Sequence, residues 1–600
     1  MNNNLHNSSH SLQEKDMLAN TMNRVAEINQ LVDRENLPQG YDIDEQGLWY
    51  LYEKKDASPS REWICTPLWI TGYTRDHKNE NHGRVLEFQD IDDQKHRWIM
   101  PMELLAGESS KILAVLLNMG LRISPKRQAK ERLLEYISQC KTRRKARCIF
   151  QCGWFKGAFV LPFETIGYIQ QERIIYQSSS CVESIGDTKG SLEDWREKIA
   201  KRAVGNSRLI LAFSAGFAGP LLEPMNHENI GIHFKGSSSL GKSTALQVAN
   251  SIWDSPSSIR TYRATANGLE GIAAQHNDRV LGLDELSQCP PQEAGQVIYM
   301  LGNGMGKARA SQHGLPKKHA TWRLILISNG EESLSQLLAT IGKKVKAGQE
   351  VRLIEIPADT EMYGLFEALH EFDSGGDFST YLKDASAQYY GTAARDFLVR
   401  LVENIKEAID FVKTVIDELK QRHLPENSSS QVIRVFGHLS LIAATGELAS
   451  HFGITGWEIG VAKDGVMKCF SDWLKARRGG VGMQEEQAAL DQVMSVFQLH
   501  GESRFSPWNR DIDDRSKTAN RMGYRKESSE GVEYFVFTQA FRDEICKGLD
   551  YQYVAKLCLA KRMLIPDDKG NPTRPERFPG SKSTARCYRF RLETFSEEKE

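Results

Sequence analysis

The chain has 600 residues, of which 40% are hydrophobic and 26% charged, so a packed core is expected and wholesale disorder is excluded. Its 77 basic and 78 acidic side chains give a formal net charge of −1, so any contact with nucleic acid must come from a local patch. At about 150 residues per domain, the length predicts roughly four domains.

Ten cysteines are scattered along the chain without a C-x-x-C pair, a usage that is typical of the reducing cytoplasm. Residues 1–15 are polar and predict no signal peptide. The longest apolar run, at 209–222, contains Gly219 and Pro220 and is too short to span a bilayer. We therefore expect a soluble, cytoplasmic protein without a membrane partner.

The first third of the chain predicts a polar tail at 1–36 followed by an α+β module at 37–190. Asn, Ser, His and Gln dominate the tail, which we expect to be loosely attached. In the module, short apolar runs between Gly and Asp breaks at 41–102 indicate strands and hairpins. Stretches at 104–121 and 127–140 predict two helices.

The rest of the chain predicts an α/β core at 191–360, a helical lid at 361–478 and a winged-helix-like domain at 483–600. In the core, short apolar strands alternate with helices, which is typical of a parallel sheet with helices on both faces. In the lid, apolar residues recur at intervals of three and four. The last domain follows a glycine-rich linker and ends in a predicted wing strand at 588–590. Its three helices are predicted at 484–499, 538–545 and 551–560.

One loop, Gly236-Ser-Ser-Ser-Leu-Gly-Lys-Ser243, matches the phosphate-binding pattern G-x-x-x-x-G-K-[ST] between an apolar strand and a helix-forming stretch. Gly236 and Gly241 let backbone N–H groups turn toward phosphate oxygens at a helix N-terminus. Lys242 adds positive charge at the β- and γ-phosphates, and the Ser243 hydroxyl is a Mg²⁺ ligand, so ATP and Mg²⁺ are expected. The predicted nucleotide-binding residues are Gly236, Ser237, Ser238, Ser239, Leu240, Gly241, Lys242, Ser243 and Thr244.

Two further strands end in polar side chains that suit ATP hydrolysis. Asp284 and Glu285 follow an apolar strand, where Asp284 would hold Mg²⁺ through water and Glu285 would polarise the attacking water. The alternative is a pair of carboxylates that caps the next helix. Asn329 ends the next apolar strand and fits an amide that orients the attacking water, although a turn residue at a strand end is the alternative.

The order of phosphate loop, acidic pair, polar strand end and later arginine resembles that of the AAA+ P-loop ATPases. Such rings neutralise charge at the γ-phosphate with an arginine from the neighbouring subunit. We assign this finger role to Arg352, with Arg323 as the second candidate. Arg434, in the lid, is assigned a further nucleotide contact. For each arginine an ordinary surface ion pair is the alternative.

Several more segments are shared with one known family. They are Cys152-Gly-Trp154 with Phe159-Val-Leu-Pro162, Thr265-Ala-Asn-Gly-Leu-Glu270, Gly302-Asn-Gly304 with Gly306-Lys307, Trp322-Arg323, and Thr445-Gly-Glu-Leu-Ala449 with Gly453-Ile-Thr-Gly-Trp457. On these segments and the motifs above, the chain resembles the domain of unknown function 927 family over about residues 38–475. Members of that family include minichromosome-maintenance-like helicases of staphylococcal cassette elements.

The resemblance implies a homo-hexameric AAA+ motor of helicase type, with an N-terminal module and a C-terminal winged helix. The partners that it implies are single-stranded DNA in the ring pore, a forked duplex, and replication proteins of the same mobile element or phage. One departure is Asn329, since Thr is more frequent at that position in relatives.

A basic segment between the acidic pair and the strand of Asn329 also favours DNA as a partner. Residues 307–323 hold five Lys or Arg side chains and no acid, and their pattern predicts a hairpin with Lys317 and Lys318 at its tip. The helicase rings that the chain resembles carry a DNA-gripping pore hairpin there. The predicted DNA contacts are Lys307, Arg309, His313, Lys317 and Lys318. Basic stretches at 141–147 and 551–590 are further candidates, and a solvated charged surface is the alternative for each.

The sequence thus predicts an ATP-hydrolysing ring that translocates on DNA and unwinds it in the replication of a mobile element or phage. One alternative is a DNA-stimulated AAA+ remodeller or defence ATPase without processive unwinding. A second is an origin-binding scaffold that uses ATP only as an assembly switch. A fuel-dependent strand-displacement assay beside a turnover assay separates the three.

Overall fold

The computed structural model describes residues 37–53, 58–107, 109–162, 164–167, 172–177, 186–307, 309–310, 316–317, 319–477, 480, 484–509, 518–528 and 531–592. The predicted tail at 1–36 lies outside these residues. Along the described chain, strands with two helices come first, then alternating strands and helices, then a run of helices, and finally a smaller mixed unit.

The N-terminal part is built from three small sheets with two helices. Its elements are β1 (Tyr41–Asp44), β2 (Gly47–Glu53), β3 (Pro59–Cys65), β4 (Leu68–Arg75), β5 (Gly83–Gln89), β6 (Lys95–Pro101), α1 (Ser109–Asn118), α2 (Arg127–Gln139), β7 (Lys145–Ile149), β8 (Gly153–Phe155), β9 (Ala158–Val160), β10 (Thr165–Ile166) and β11 (Arg173–Tyr176). The strand orders are β1-β2-β3, β11-β7-β4-β5-β6 and β10-β9-β8. Both predicted helices are present, the first shortened because a 3₁₀ turn, Met102–Ala106, precedes α1. Helix α2 buries Leu133, Tyr136 and Ile137 on one face, as a spacing of three and four dictates.

A five-stranded parallel sheet in the order β13-β14-β17-β12-β18 forms the centre of the molecule. The elements of this part are α3 (Leu192–Lys198), α4 (Ser207–Ala218), β12 (Ile230–Lys235), α5 (Lys242–Ser251), β13 (Arg260–Thr261), α6 (Ala266–Gln275), β14 (Arg279–Asp284), α7 (Pro291–Asn303), β15 (Arg309–Ala310), β16 (Pro316–Lys317), β17 (Leu324–Gly330), α8 (Leu334–Ala339), α9 (Ala347–Glu350) and β18 (Ile354–Pro357). Strands β12, β14 and β17 are almost wholly buried, because helices cover both faces of a parallel sheet. Their carboxyl ends meet at one edge, where the phosphate loop begins.

Five helices follow the sheet, as the apolar periodicity predicts. They are α10 (Gly375–Gln388), α11 (Thr392–Glu403), α12 (Ile405–His423), α13 (Ser430–His451) and α14 (Val461–Ala476). Helix α13 packs against α4, α12 and α14 and is buried along most of its length. Within the described residues it is also the one helix long and apolar enough to cross a membrane, but 83% of its apolar window is buried inside the fold. A core helix of a globular domain has these properties.

The C-terminal unit has its own hydrophobic core and a six-stranded sheet. Its elements are α15 (Gln484–His500), β19 (Phe505–Pro507), β20 (Gly523–Ser528), β21 (Gly531–Phe537), α16 (Thr538–Ala540), α17 (Tyr551–Ala560), β22 (Leu564–Ile565), β23 (Arg574–Glu576) and β24 (Ala585–Leu592). The predicted helices at 484–499 and 551–560 are present, and 538–545 contains α16 and a π-helical turn. The sheet is larger than the one wing strand that the sequence predicts, and the winged-helix assignment stays a prediction.

Three of the nine basic side chains at 551–590 are paired with carboxylates inside this unit. Glu533, which is 3% exposed, accepts hydrogen bonds from Arg589 over 2.7 Å and from Arg591 over 2.8 Å, both on β24. Arg574 and Arg586 are also paired with carboxylates. The stretch therefore offers a nucleic acid fewer free cations than its residue count indicates.

Candidate nucleotide site

The phosphate loop turns from β12 into α5 through residues in the left-handed region of the backbone. Gly241 is the N-cap of α5 with φ of +97°, and Ser239 has φ of +64°. Glycine enters this region without strain. A Cβ on Gly241 would also lie 3.1 Å from the ring of Phe366. The loop therefore leads directly into the N-terminus of α5, the arrangement that binds anions.

Lys242 lies over the loop that precedes it. Its Nζ donates hydrogen bonds to the carbonyl oxygens of Gly236 and Ser237, over 2.7 Å and 2.5 Å. The residue is only 7% exposed. The ammonium group is therefore held in the loop, where the pattern places the β- and γ-phosphates of a nucleotide.

The carboxyl ends of β14 and β17 bring three predicted site residues together beside the loop. Asn329 Nδ2 donates to Asp284 Oδ1 over 2.7 Å, and Asn329 Oδ1 accepts the Glu285 N–H over 2.7 Å. Ser243 Oγ donates to the same Asp284 oxygen over 3.3 Å. One amide side chain thus fixes the carboxylate of Asp284 and the backbone of Glu285 together.

Glu285 has an unusual backbone for a residue with a side chain. Its φ is +57°, in the left-handed region that costs a non-glycine residue about 1 kcal/mol or more. The bond from its N–H to Asn329 holds this conformation, and Ser287 Oγ donates to Glu285 Oε1 over 2.6 Å. The carboxylate lines the cleft beside the phosphate loop, as a residue that activates water requires.

Ser243 and Asp284 are suitable ligands for Mg²⁺. Hydroxyl and carboxylate oxygens are the ligands that this ion prefers, and it usually completes its octahedron with waters and substrate phosphates. Among the described residues, no group of three or more His, Cys, Asp or Glu could hold a metal. The donor set fits an ion that is bound together with the nucleotide.

A buried network of hydrogen bonds lies behind Asn329. His233 Nδ1 lies 3.0 Å from Ser328 Oγ. The same oxygen accepts a hydrogen bond from the Tyr262 hydroxyl over 2.9 Å. Burial lowers the pKa of His233 to about 4, so its ring is neutral. Its Nε2–H donates to the carbonyl oxygen of Glu332 over 3.2 Å, and its Nδ1 accepts from Ser328. The network joins β12, which enters the phosphate loop, to β17, which carries Asn329.

A cleft of ≈ 710 Å³ opens beside the loop, and its far wall was not predicted from the sequence. That wall is formed by the segment after β18 and the first turns of α10. Thr244 Oγ1 and Ser379 Oγ, 2.6 Å apart, join α5 to α10. Tyr363, which is 49% exposed, and Lys383 line the same cleft. The cap at Ser374 indicates that a helix starts there, but nothing local indicates that it faces the phosphate loop.

Arg352 lies at the opposite end of the sheet from the phosphate loop of its own chain. It precedes β18, in which Ile354 pairs with Ile232 near the start of β12. Its guanidinium donates to the Gly348 carbonyl over 2.6 Å and lies 4.7 Å from the ring centroid of Tyr299. The finger role predicted for Arg352 is therefore open only toward a neighbouring chain, and it stays a prediction.

Arg434 does not reach the phosphate loop, and its predicted nucleotide contact within one chain is wrong. Its guanidinium binds Glu228 through two N–H groups, with Nε 2.6 Å from Oε1. Glu228 stands just before β12, so α13 presents Arg434 at the amino end of the sheet. Arg323, the second candidate for the finger, is engaged in ion pairs with Asp278 and Glu223.

The predicted basic hairpin is present between α7 and β17. Strands β15 and β16 are antiparallel, with Arg309 opposite Lys317. Lys317 lies on the returning strand β16, opposite Arg309, and not at the tip, which corrects the prediction. Lys307 is exposed at the base of the hairpin, where its N–H donates to Glu270 Oε1 over 3.1 Å. His313, Lys318 and the side chains of Arg309 and Lys317 lie outside the described part of the chain.

A parallel sheet with a phosphate loop and an acidic pair at its carboxyl edge defines the core as a P-loop fold. Residues 41–321 match the family model described as Domain of unknown function (DUF927). Over these residues, the resemblance predicted from the motifs is confirmed.

One solved structure, described as the active helicase Cch of SCCmec type IV, is similar over 93% of this chain and 98% of its own, with a TM-score of 0.66 and 17% identity. At this identity the similarity concerns the fold. A mutant of Thermotoga maritima RuvB matches 63% of this chain and 94% of its own at 10% identity and a TM-score of 0.17. Brucella abortus NtrX in complex with ATP matches 59% and 75% at 11% identity and a TM-score of 0.17. Scores this low support no argument, and no curated protein matches the chain.

Proposed function

We propose that this protein is an ATP-hydrolysing DNA translocase that forms a ring and unwinds DNA in the replication of a mobile element or phage. The observation that carries the proposal is the convergence of Ser243, Asp284, Glu285 and Asn329 beside Lys242. This set provides a cation for the phosphates, ligands for Mg²⁺ and a carboxylate for the attacking water.

In the proposed reaction, the loop N–H groups and Lys242 bind the β- and γ-phosphates of ATP. Ser243 and Asp284 hold Mg²⁺, which supplies positive charge at the phosphate oxygens. Glu285 accepts the proton of the water that attacks the γ-phosphorus, and Asn329 keeps Glu285 and Asp284 in place. The nucleoside lies between α5 and α10, where Tyr363 offers an aromatic surface for the base.

A homo-hexameric ring is part of the proposal, because the two predicted halves of the site lie apart in one chain. The phosphate loop follows the carboxyl end of β12, whereas Arg352 is beside the amino end of β12. If neighbouring chains meet head to tail, Arg352 of one chain neutralises charge at the nucleotide of the next. Arg352 then acts only in the assembled ring.

DNA is the proposed substrate of the motor. The hairpin of β15 and β16 supports this, since it carries Arg309 and Lys317 on facing strands. The fold similarity to a structure described as an active helicase also supports it. A reducing, cytoplasmic environment is supported by the nine cysteines of the described residues, which are all buried and unpaired.

A strand-displacement assay on a forked duplex tests the proposal. We expect displacement with ATP and Mg²⁺, none with a non-hydrolysable analogue, and none for Lys242→Ala. ATP turnover stimulated by DNA without displacement would favour a remodeller or defence ATPase. Nucleotide-dependent assembly on DNA without turnover would favour a scaffold that uses ATP as a switch.

A further inference from the structure

The N-terminal module contacts the core over several surfaces, and at one of these, the base of the basic hairpin, two buried side chains join them. Asn277 and Asp278, here called the hairpin anchor, lie between α6 and β14 and are 7% and 0% exposed. Buried polar side chains of this kind are costly unless each is hydrogen-bonded. The partners of the anchor lie in two segments that are distant in sequence.

On one side the anchor holds Arg323, the residue that joins the hairpin to β17. The Arg323 N–H donates to Asn277 Oδ1 over 2.8 Å, and Arg323 Nε donates to Asp278 Oδ1 over 2.9 Å. The Asp278 N–H donates to the Arg323 carbonyl oxygen over 2.5 Å. The returning strand of the hairpin is therefore fixed to the anchor immediately before β17, which ends in Asn329.

On the other side the anchor holds the β8 strand of the N-terminal module. The Trp154 N–H donates to Asp278 Oδ2 over 3.0 Å, and Asn277 Nδ2 donates to the Cys152 carbonyl oxygen over 2.8 Å. Between these two contacts, Gly153 has φ of +103°. A Cβ there would lie 2.2 Å from Asp278 Oδ2 and 2.5 Å from Asn277 Nδ2, so no other residue fits without displacing the anchor.

We propose that Asn277 and Asp278 are positioning residues that join the N-terminal module to the base of the hairpin, so that DNA bound at the hairpin stimulates ATP hydrolysis only when the module is seated. The inference rests on the proposed function. Asp278 Oδ1 accepts a hydrogen bond from Arg323, and Oδ2 accepts from both Trp154 and Arg323, so neither partner moves without disturbing the other. Strand β17 extends the connection to Asn329, which bonds the carboxylate of Asp284 and the backbone N–H of Glu285.

Two glycine variants in one β-hairpin test this role. Gly153→Ala places a methyl group against the anchor. Gly157→Ala is the matched control, because Gly157 also has positive φ, +87°, and a Cβ there has nothing within 4 Å. Both variants carry a similar backbone cost, and only Gly153→Ala disturbs the anchor. ATP turnover is measured with and without single-stranded DNA, together with the thermal unfolding of each variant.

For Gly153→Ala we expect basal turnover close to that of the wild type, and DNA stimulation reduced about fivefold or more, as is typical of coupling between sites. Gly157→Ala keeps the wild-type stimulation. If Gly153→Ala does not fold, Asn277→Ala removes the bonds to Cys152 and Arg323 without adding atoms and is expected to lose stimulation in the same way. Wild-type stimulation in a folded Gly153→Ala or Asn277→Ala protein overturns the inference and leaves the proposed function intact. A wild-type protein whose turnover does not respond to DNA overturns both.

Discussion

The two ends of the central sheet differ in what they can do. At the carboxyl end, Lys242, Glu285 and Asn329 line a cleft, and none of the described residues that line this cleft is an arginine. At the amino end, Arg352 and Arg434 lie near the start of β12, far from any phosphate loop of the same chain. In the proposed ring, the amino end of one chain supplies the arginine that the carboxyl end of the next chain lacks.

The electrostatics at the amino end of the sheet bear on the proposed ring. Burial lowers the pKa of His438 well below its ordinary value, and the charges of Arg434 and Arg352 lower it further. The histidine is therefore neutral at pH 7, so the two guanidinium groups account for the local positive charge, with Glu228 as the partner of Arg434. In the proposed ring, this surface would lie toward the anionic end of a nucleotide bound to the neighbouring chain.

The largest effects are expected at the carboxyl end. Lys242→Ala should abolish ATP binding, because the phosphates lose the cation that the loop holds among its own carbonyls. Glu285→Gln should keep ATP binding and lower turnover about 10²-fold or more, as the loss of a positioned base does. Fluorescent-nucleotide binding and phosphate release measure the two quantities. Near-normal turnover of Glu285→Gln would mean that Glu285 does not accept the proton of the attacking water.

A substitution at the amino end of the sheet should affect only the nucleotide site of a neighbouring chain. Arg352→Ala is expected to bind ATP normally and to lose about 10²-fold in turnover, because the neighbour's transition state is left without its cation. Mixing Arg352→Ala with Lys242→Ala chains should restore part of the turnover, since some interfaces then combine an intact loop with an intact arginine.

The mixing experiment has a matched control in Arg434→Ala, which removes the other arginine of the same end. Ring formation in each mixture is followed by light scattering. If mixed rings form without any recovery of turnover, Arg352 of one chain does not act at the nucleotide site of the next.

Local patterns account for the parts of this architecture that the sequence predicts. The phosphate loop, the acidic pair and Asn329 stand at the ends of short apolar strands, and parallel strands necessarily bring such ends to one edge. The positions of Arg434 and of α10 depend instead on how the helical lid docks, which no local pattern encodes. The same holds for the hairpin anchor, since Trp154 and Asp278 are 124 residues apart in sequence. The sequence puts Lys317 at the hairpin tip because Gly314 and Pro316 indicate a turn without fixing the register of the strands on either side.

The hairpin lies away from both ends of the central sheet, so we expect its charged side chains to bind DNA and not ATP. Replacing Lys317 and Lys318 by Ala should leave DNA-free turnover nearly unchanged and abolish unwinding. It should also reduce the log–log salt slope of single-strand binding by about 1.4, since each phosphate that the protein no longer neutralises lowers the slope by roughly 0.7. Binding titrations between low and high salt measure the slope. A wild-type slope with wild-type unwinding would mean that this strand does not hold DNA.

The smallest effect concerns His233, in β12 between the two ends. Its folded pKa of about 4 lies below the ordinary value near 6.5, so the unfolded chain binds more protons than the folded chain between these pH values. Stability from this group is therefore complete above about pH 6.5 and declines as the pH falls toward 4. His233→Asn keeps an amide that can bond Ser328 or Glu332 but does not titrate. In urea unfolding, the free energy of unfolding of the variant should depend less steeply on pH than that of the wild type. The difference in slope is up to one proton, or about 1.4 kcal/mol per pH unit in that window. His276, whose pKa burial also lowers to about 4, remains in both proteins and cancels in the difference. Equal pH dependence of the two proteins would mean that the pKa of His233 in the folded protein is close to its ordinary value.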